Sequence, residues 1–291
     1  MIPRDNKSFI IIDGSFHLYR SYYVFSSIFS KKTHQPIGAI YGVLNTIKKI
    51  LITFKPEYIA IVFDTNGKNF RSDIFSEYKL HRSRMPENLR RQINPLLNII
   101  QKLELPILSI SGVEADDVIG TLALEAEKNG LNVIISTGDK DMAQLVSRNV
   151  SLLYHNNKIN SLIGPEEIQL KFGISPHFFV DYLALVGDKS DNIPGVPGIG
   201  VKTALYLLKH IGHIKRLYEN LEVIPHLKKL RSAKITAKNL KKYRELAFLS
   251  YQLATIKTDV ALEQQSYQAF KIKKIHTDFL HLIIQEEFNL I

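Results

Sequence analysis

Two short apolar runs constrain the fold most: Phe9–Ile12, closed by Asp13, and Tyr58–Phe63, closed by Asp64. A half-exposed strand alternates apolar and polar residues. A run apolar throughout needs cover on both faces, as in a parallel sheet with helices on either side. The spacing between the runs agrees. Over 38–54 the apolar positions Ile40, Val43, Leu44, Ile47, Ile50 and Leu51 recur at helical intervals, and 89–103 reads as a second helix. Further strands are expected at 107–110 and 131–136, with a helix over 115–129 between them and Gly130 as its stop. Strand–helix alternation of this kind is the signature of an α/β layer architecture.

The second half changes character. Pro165 and Gly173 bracket a short helix, and helices are expected over 176–186, 202–210 and 235–253, with no strand between 164 and 253. The reading is an α/β core over 1–175 and a helical module over 176–291, without internal repeat or low-complexity linker. No apolar run reaches the roughly 18–20 residues that span a bilayer. The opening MIPRDNKSF meets an acid at Asp5 and has no leader-like apolar stretch, so a soluble cytoplasmic protein is expected. The chain has no cysteine, which excludes disulfides, thiolate metal sites and cysteine nucleophiles.

The acids fall in a pattern. Asp13 and Asp64 end strands; Glu114, Asp116 and Asp117 open a helix; Asp139 and Asp141 follow a strand; Asp188 and Asp191 open the helical half. Ligands of open α/β sheets sit outside the carboxyl ends of the strands, the edge to which these acids are delivered. Singly, each has a plain explanation as a helix cap or a complement to a helix dipole. Together, nine converging carboxylates repel unless they take up protons or divalent cations. Oxygen donors of this type suit Mg²⁺ or Mn²⁺. The chain carries 38 Lys and Arg against 28 Asp and Glu, a net +10. With the nine acids set aside, the rest holds two bases for each acid. An acidic pocket in a basic body is the layout expected of a metal-dependent enzyme acting on a nucleic-acid backbone.

Two other segments bear on binding. Residues 65–86 interleave Lys68, Arg71, Lys79, His81, Arg82 and Arg84 with Phe70, Phe75 and Tyr78. They read as a solvated loop with a frayed helix, or as a mobile clamp on a phosphate backbone. The stretch Gly195, Gly198, Gly200, Val201, Lys202, Thr203 resembles a phosphate loop. Val201 stands where a nucleotide-binding P-loop needs lysine, and a helix precedes it, so the P-loop is rejected. A hairpin between helices, its amides facing phosphate and Lys202 and Lys209 adding charge, competes with an ordinary turn.

These motifs together resemble the 5′ nuclease domain of bacterial DNA polymerase I, within the flap endonuclease family. The residues that carry the resemblance are DG at 13–14, VFD at 62–64, FRSDIFSEYKLHR at 70–82, VEADDVIGTLA at 113–123, STGDKDMAQLV at 136–146, GDKSDNIPGVPGIGVKTA at 187–204 and FLSYQLATIKTD at 248–259. The resemblance implies a PIN-like core with a mostly parallel sheet, a helical arch near 65–90 and a helix-hairpin-helix module near 187–210. It implies hydrolysis of DNA from a 5′ end and cutting of 5′ flaps, in primer removal and repair. It makes Asp13, Asp64, Glu114, Asp116 and Asp117 the ligands of a catalytic metal position, and Asp139, Asp141, Asp188 and Asp191 those of a second. Lys79 matches the arch lysine at the scissile phosphate. Arg82 shares its catalytic role, and Arg71, Tyr78 and Arg84 join the hairpin residues in holding DNA. The hairpin would also take K⁺. Tyr22, Tyr23, Phe25, Ile28 and Phe29 match an apolar wedge.

The expected partners are DNA with a 5′ end, nick or flap, an RNA–DNA primer, and a polymerase and ligase acting on the same intermediate. A nucleoid-associated monomer without membrane contact is expected. Val201 stands where many relatives have glutamate, and a complete DNA polymerase I would run on for hundreds of residues past Ile291, whether the 291 residues are a natural length or a fragment. Two alternatives are a related metal-dependent ribonuclease and a catalytically silent DNA-binding module.

Overall fold

A computed structural model describes residues 8–65, 67–155, 160–262 and 266–273; Asp5 and the last stretch of the helical half lie outside the described residues. The chain runs β1 (Ser8–Asp13), α1 (Gly14–Val24), α2 (Gly38–Phe54), β2 (Tyr58–Val62), α3 (Phe70–Ile74), α4 (Glu87–Lys102), β3 (Ile107–Leu108), α5 (Ala115–Lys128), β4 (Asn132–Ser136), β5 (Val150–His155) and β6 (Asn160–Ile163). Helices α6 (Pro165–Phe172), α7 (Phe179–Val186), α8 (Val201–His210), α9 (Ile214–Glu219), α10 (Ala233–Lys242) and α11 (Arg244–Ala254) follow.

The six strands form one sheet in the order β3-β2-β1-β4-β5-β6, parallel except for β6. Central β1 pairs with β2 on one side and β4 on the other, Asp13 lying opposite Val62 and Ile12 opposite Ser136. Its apolar run is divided between two cores. Phe9 and Ile11 pack with Val118, Ile119 and Leu122 of α5, while Ile10 and Ile12 pack with Val43, Leu44 and Ile47 of α2. This is the two-sided cover that an uninterrupted apolar strand requires.

Sequence and structure part in four places. Strands β5 and β6, the helix α1 and the short α9 are additions to the expected elements. The helix expected over 235–253 is two, α10 and α11, broken at Tyr243 with φ −108 and ψ 30. Between 67 and 86 the arch holds the five-residue α3 and then turns, with Lys79 at φ 53, before α4 begins at Glu87, so it is no continuous helix. The helical half does not stand apart either: Phe179 and Leu183 of α7 and Leu253 of α11 are buried in the same core as β1 and α5.

The hairpin glycines do three different jobs. Gly195, at φ 65, is buried, and a Cβ there would stand 2.4 Å from the backbone nitrogen of Gly187. Its amide donates to Ser250 Oγ at 2.9 Å, fixing the hairpin to α11. Gly198, at φ 82, turns against Asn239 of α10, whereas Gly200 is exposed with open space beside it. Gly195 therefore shapes the hairpin from beneath and is out of reach of a ligand, which corrects its expected DNA contact. Gly195→Ala should lower stability by about 2 kcal/mol or more, through a left-handed backbone and a clash with main chain. Gly200→Ala should stay within about 0.5 kcal/mol. Urea unfolding midpoints check both.

Candidate active site

Local folding delivers the acids. Asp13 ends β1 and caps α1: one oxygen accepts from Phe16 N at 2.9 Å and the other from Thr137 Oγ1 at 2.7 Å. Asp64 follows β2 and accepts from Ala115 N at 2.9 Å, a bond to the open amide end of α5. Glu114 is the N-cap residue of α5, and Asp116 lies in its first turn. Beyond β4, Asp141 N donates to Asp139 Oδ1 at 2.9 Å. The loop after α7 closes on itself between Asp188 and Ile193 and brings Asp191 to the same edge.

Eight of the nine acids act on one another. Asp13 is pushed up to about 7, first by burial, then by Asp64 and Asp139. Asp141 is pushed up to about 8 by burial and by Asp139, Asp188 and Asp191. Burial, with Asp139 and Asp13 beside it, raises Asp116 well above the carboxylate range. Asp139 rises too, mainly through burial. Asp188 moves down: burial opposes the charge, but Lys140 and Ser190 outweigh it. Lys140 Nζ lies 2.8 Å from Asp188 Oδ2, and Ser190 donates twice to Oδ1. Among the described residues no three Asp, Glu or His side chains close around one point, so the acids form an open cradle and not a finished cage.

The donor set nevertheless fits divalent cations. Asp141 Oδ1 is buried without a hydrogen-bond partner. Four acids are driven towards protonation by burial and by one another, a cost that cations relieve.

Protein cations already enter the cradle. Lys79 Nζ sits 2.7 Å from Glu114 Oε1 and 3.4 Å from Asp191 Oδ2. Burial works against its charge, yet Glu114, with Tyr78 and Asp191, holds it protonated well above the usual lysine value. Arg82 pairs with Asp191 Oδ1. The backbone follows: Lys79 N donates to Asp191 O at 3.0 Å, and Asn192 Nδ2 to Glu77 O at 2.8 Å. The basic segment is thus docked over the acids, and Lys79 and Arg82 meet there through turns and not on one helix face.

Three expected site residues lie elsewhere. Asp117 is fully buried behind the edge, its oxygens taken by Arg71, Glu114 N and Lys257 N. Arg71 is 2% exposed and binds Asp117 by two bonds at 2.7 and 2.8 Å, Glu114 at 3.2 Å, and the carbonyls of Leu253 and Thr255. Neither can touch a ligand at the surface; they lock α5 to α3 of the arch and to the end of α11. Tyr78 is buried, its hydroxyl donating to Glu114 Oε2 at 3.0 Å, so it stacks on no base. Sequence reasoning missed Lys140, which neutralises Asp188, and Asn69, which donates to Glu114 Oε1 at 2.9 Å. A lysine between two acids in GDKD was the available signal for Lys140.

Beside Asp64 a cleft of about 720 Å³ is lined by Tyr19, Tyr23, Phe63, Arg82, Met85 and Leu97. Tyr23 and Phe29 of the expected wedge are exposed. Arg84, Lys202 and Gly200 are exposed, and Thr203 is half-buried at the start of α8.

A sheet edge crowded with acids, roofed by a basic segment and followed by a glycine hairpin, defines the class: a nuclease of two parts. Residues 8–173 match the family described as "5'-3' exonuclease, N-terminal resolvase-like domain", and 174–278 match "5'-3' exonuclease, C-terminal SAM fold". The chain belongs to the 5′-3′ exonuclease family and is an enzyme of that kind. It is 49% identical over 284 residues to a 5′-3′ exonuclease of Buchnera aphidicola subsp. Schizaphis graminum, covering 97% of this chain and 98% of that one. It is 46% identical over 255 residues to DNA polymerase I of Pseudomonas aeruginosa, covering 87% of this chain but 28% of the polymerase. In fold it is similar to T5 5′-exonuclease with bound zinc, at a TM-score of 0.70 and 21% identity over 95% of this chain and 99% of the other. It is also similar to the T5 D15 flap endonuclease in complex with DNA and metal ions, at a TM-score of 0.68 and 20% identity over 96% and 100%.

Two predictions follow from the buried charges. Arg71→Ala strands Asp117 and should cost about 3–5 kcal/mol of stability, read by urea unfolding. The second concerns pH. Asp13 and Asp141 bind protons more tightly folded, at about 7 and about 8, than unfolded at roughly 3.9. The folded state then holds the extra protons, so stability falls as pH rises from about 4 through about 8. Asp188, shifted down, contributes fully above the ordinary carboxylate value and leaves that slope unchanged. In EDTA, Tm should fall between pH 5 and 8, and Mg²⁺ or Mn²⁺ should raise it more at pH 8 than at pH 5. A Tm in EDTA that climbs over this interval would overturn the assignment.

Proposed function

We propose that the chain hydrolyses DNA phosphodiesters as a structure-specific 5′-3′ exonuclease and cuts 5′ flaps where they join duplex. The observation that carries this reading is the convergence of eight acids from separate strand and helix ends beneath Lys79 and Arg82. Asp13, Asp64, Glu114 and Asp116 would hold one divalent cation, and Asp139, Asp141, Asp188 and Asp191 a second, with Mg²⁺ or Mn²⁺ suited to both. Bound there, such cations stabilise charge on the reacting phosphate and make water more acidic. Asp117 acts by positioning Glu114 and Arg71.

The chain's own groups do the rest. Lys79 presents a half-buried ammonium, held protonated by the acids around it, to the scissile phosphate. Arg82, half-exposed at the mouth of the cleft, holds the incoming strand, with Arg84 further out. Tyr23 and Phe29 abut the junction as an apolar wedge. Exposed Gly200 and the amides opening α8 grip the duplex, with Lys202 and Thr203 beside them and room for K⁺ at the hairpin. The division of labour is a nuclease core over 1–175 and a DNA-holding module over 176–291. The chain works as a monomer in the cytoplasm near the nucleoid, on DNA or RNA–DNA 5′ ends, with a polymerase and ligase completing the repair.

A labelled 5′-flap duplex should be cut with Mg²⁺ and stay intact in EDTA. Asp116→Asn should lower single-turnover cleavage far more than flap affinity. Lys79→Ala should lower it by about 10²-fold or more, the scale of one electrostatic stabiliser. Its affinity should change little, and the salt slope by about one unit. A Lys79→Ala enzyme that cleaves normally at saturating protein would reduce the roof to a passive loop.

A further inference from the structure

Helix α10 carries Lys234, Lys238, Lys241 and Lys242, all exposed. At 100° per residue these four fall within an arc of about 100°, and the buried Ala233, Thr236 and Leu240 occupy the far side. The wider segment 228–244 holds eight Lys or Arg and no acid. Among the described residues none of the four helix lysines pairs with a carboxylate; Lys242 Nζ lies over the Tyr243 ring, 4.9 Å from its centre.

A merely solvated helix face interleaves opposite charges, because like charges three and four residues apart repel. Here 234–238, 238–241 and 238–242 are all like pairs at that spacing. Among the described residues no carboxylate offsets this repulsion. A polyanion laid along the face removes it.

The position of the helix names the polyanion. Asn239 Nδ2 donates to Pro197 O in the glycine hairpin at 3.0 Å, and Gly198 turns directly against that amide. On the helical wheel Lys242 and Ile235 adjoin Asn239, and Lys238, Lys234 and Lys241 continue away from it. The lysine face is therefore a continuation of the hairpin surface. Ten residues span about 15 Å, the length of four to five base-pair steps. The geometry points to a second duplex-backbone site: α10 grips a run of phosphates adjoining those at the hairpin. This rests on the hairpin's holding duplex DNA, as in the function proposed above.

The test compares two variants with equal loss of charge. One carries Lys234→Gln, Lys238→Gln, Lys241→Gln and Lys242→Gln. The control carries Lys49→Gln, Lys55→Gln, Lys128→Gln and Arg148→Gln, exposed bases away from the hairpin. Affinity for a 5′-flap duplex is measured in EDTA across a salt series, beside thermal unfolding of each protein. The α10 variant should bind about 10²-fold more weakly near 0.1 M salt and lose two to four units of salt slope. The control should lose under one unit. Equal losses in both variants would overturn the site, leaving only long-range charge. If the fourfold change lowers the unfolding temperature, Lys238→Gln with Lys242→Gln is compared against Lys55→Gln with Lys128→Gln, and half the slope loss is expected. Wild-type cleavage of the same flap with Mg²⁺ is read separately. Cleavage with indistinguishable variants sinks the α10 site and leaves the nuclease standing. No cleavage sinks the nuclease reading, while the two affinities still decide the site.

Discussion

Eight carboxylates within electrostatic reach of one another cannot all stay charged in a half-buried cleft without counter-charges. That constraint organises the molecule. The parallel sheet creates the problem, because every parallel strand ends at the same edge and two of them deliver an aspartate there. Hydrogen bonds offset part of the cost at Asp13 and Asp64, through helix amides and Thr137. Lys79, Arg82 and Lys140 offset more. What remains shows as acids driven upward, and as an oxygen of Asp141 left without a partner.

The counter-charges come from opposite directions in the chain. Lys140 lies between two of the acids, whereas Lys79 and Arg82 arrive from the segment after β2 and dock on the loop after α7. The roof therefore joins the core to the helical half. A backbone bond from Lys79 to Asp191 and a side-chain bond from Asn192 to Glu77 complete the joint. On the function proposed above, a phosphate entering the cleft would meet ammonium and guanidinium groups already held in place, so little side-chain ordering would remain to be done on binding.

Much of this was legible in the sequence, and the failures share a cause. Apolar runs fixed β1 and β2, and helical periodicity fixed α2, α4 and α5, because burial on known faces writes a strong pattern. Strand β5 escaped because Val150–His155 mixes a serine and a terminal histidine with its apolar residues, and β6 is short. The break at Tyr243 has no glycine or proline to announce it. Among the acids the sequence showed type and order but not depth. Asp116 and Asp117 are adjacent, and on a helix neighbours point 100° apart, so one reaches the cleft and the other turns to Arg71. The same blindness to depth made Arg71, Tyr78 and Gly195 look like surface contacts.

The partners of Arg71 have a consequence for how the protein is made. Its guanidinium is completed by the carbonyls of Leu253 and Thr255, 182 and 184 residues further along the chain. While a ribosome is still translating the middle of the message, the root of the roof has nothing to close on, and Asp117 keeps only part of its shell. Contacts of such sequence separation form late and slowly. A growing chain thus acquires its sheet early and its finished cleft only after residue 255 has emerged, so an interrupted translation product would carry the acids without the geometry to use them.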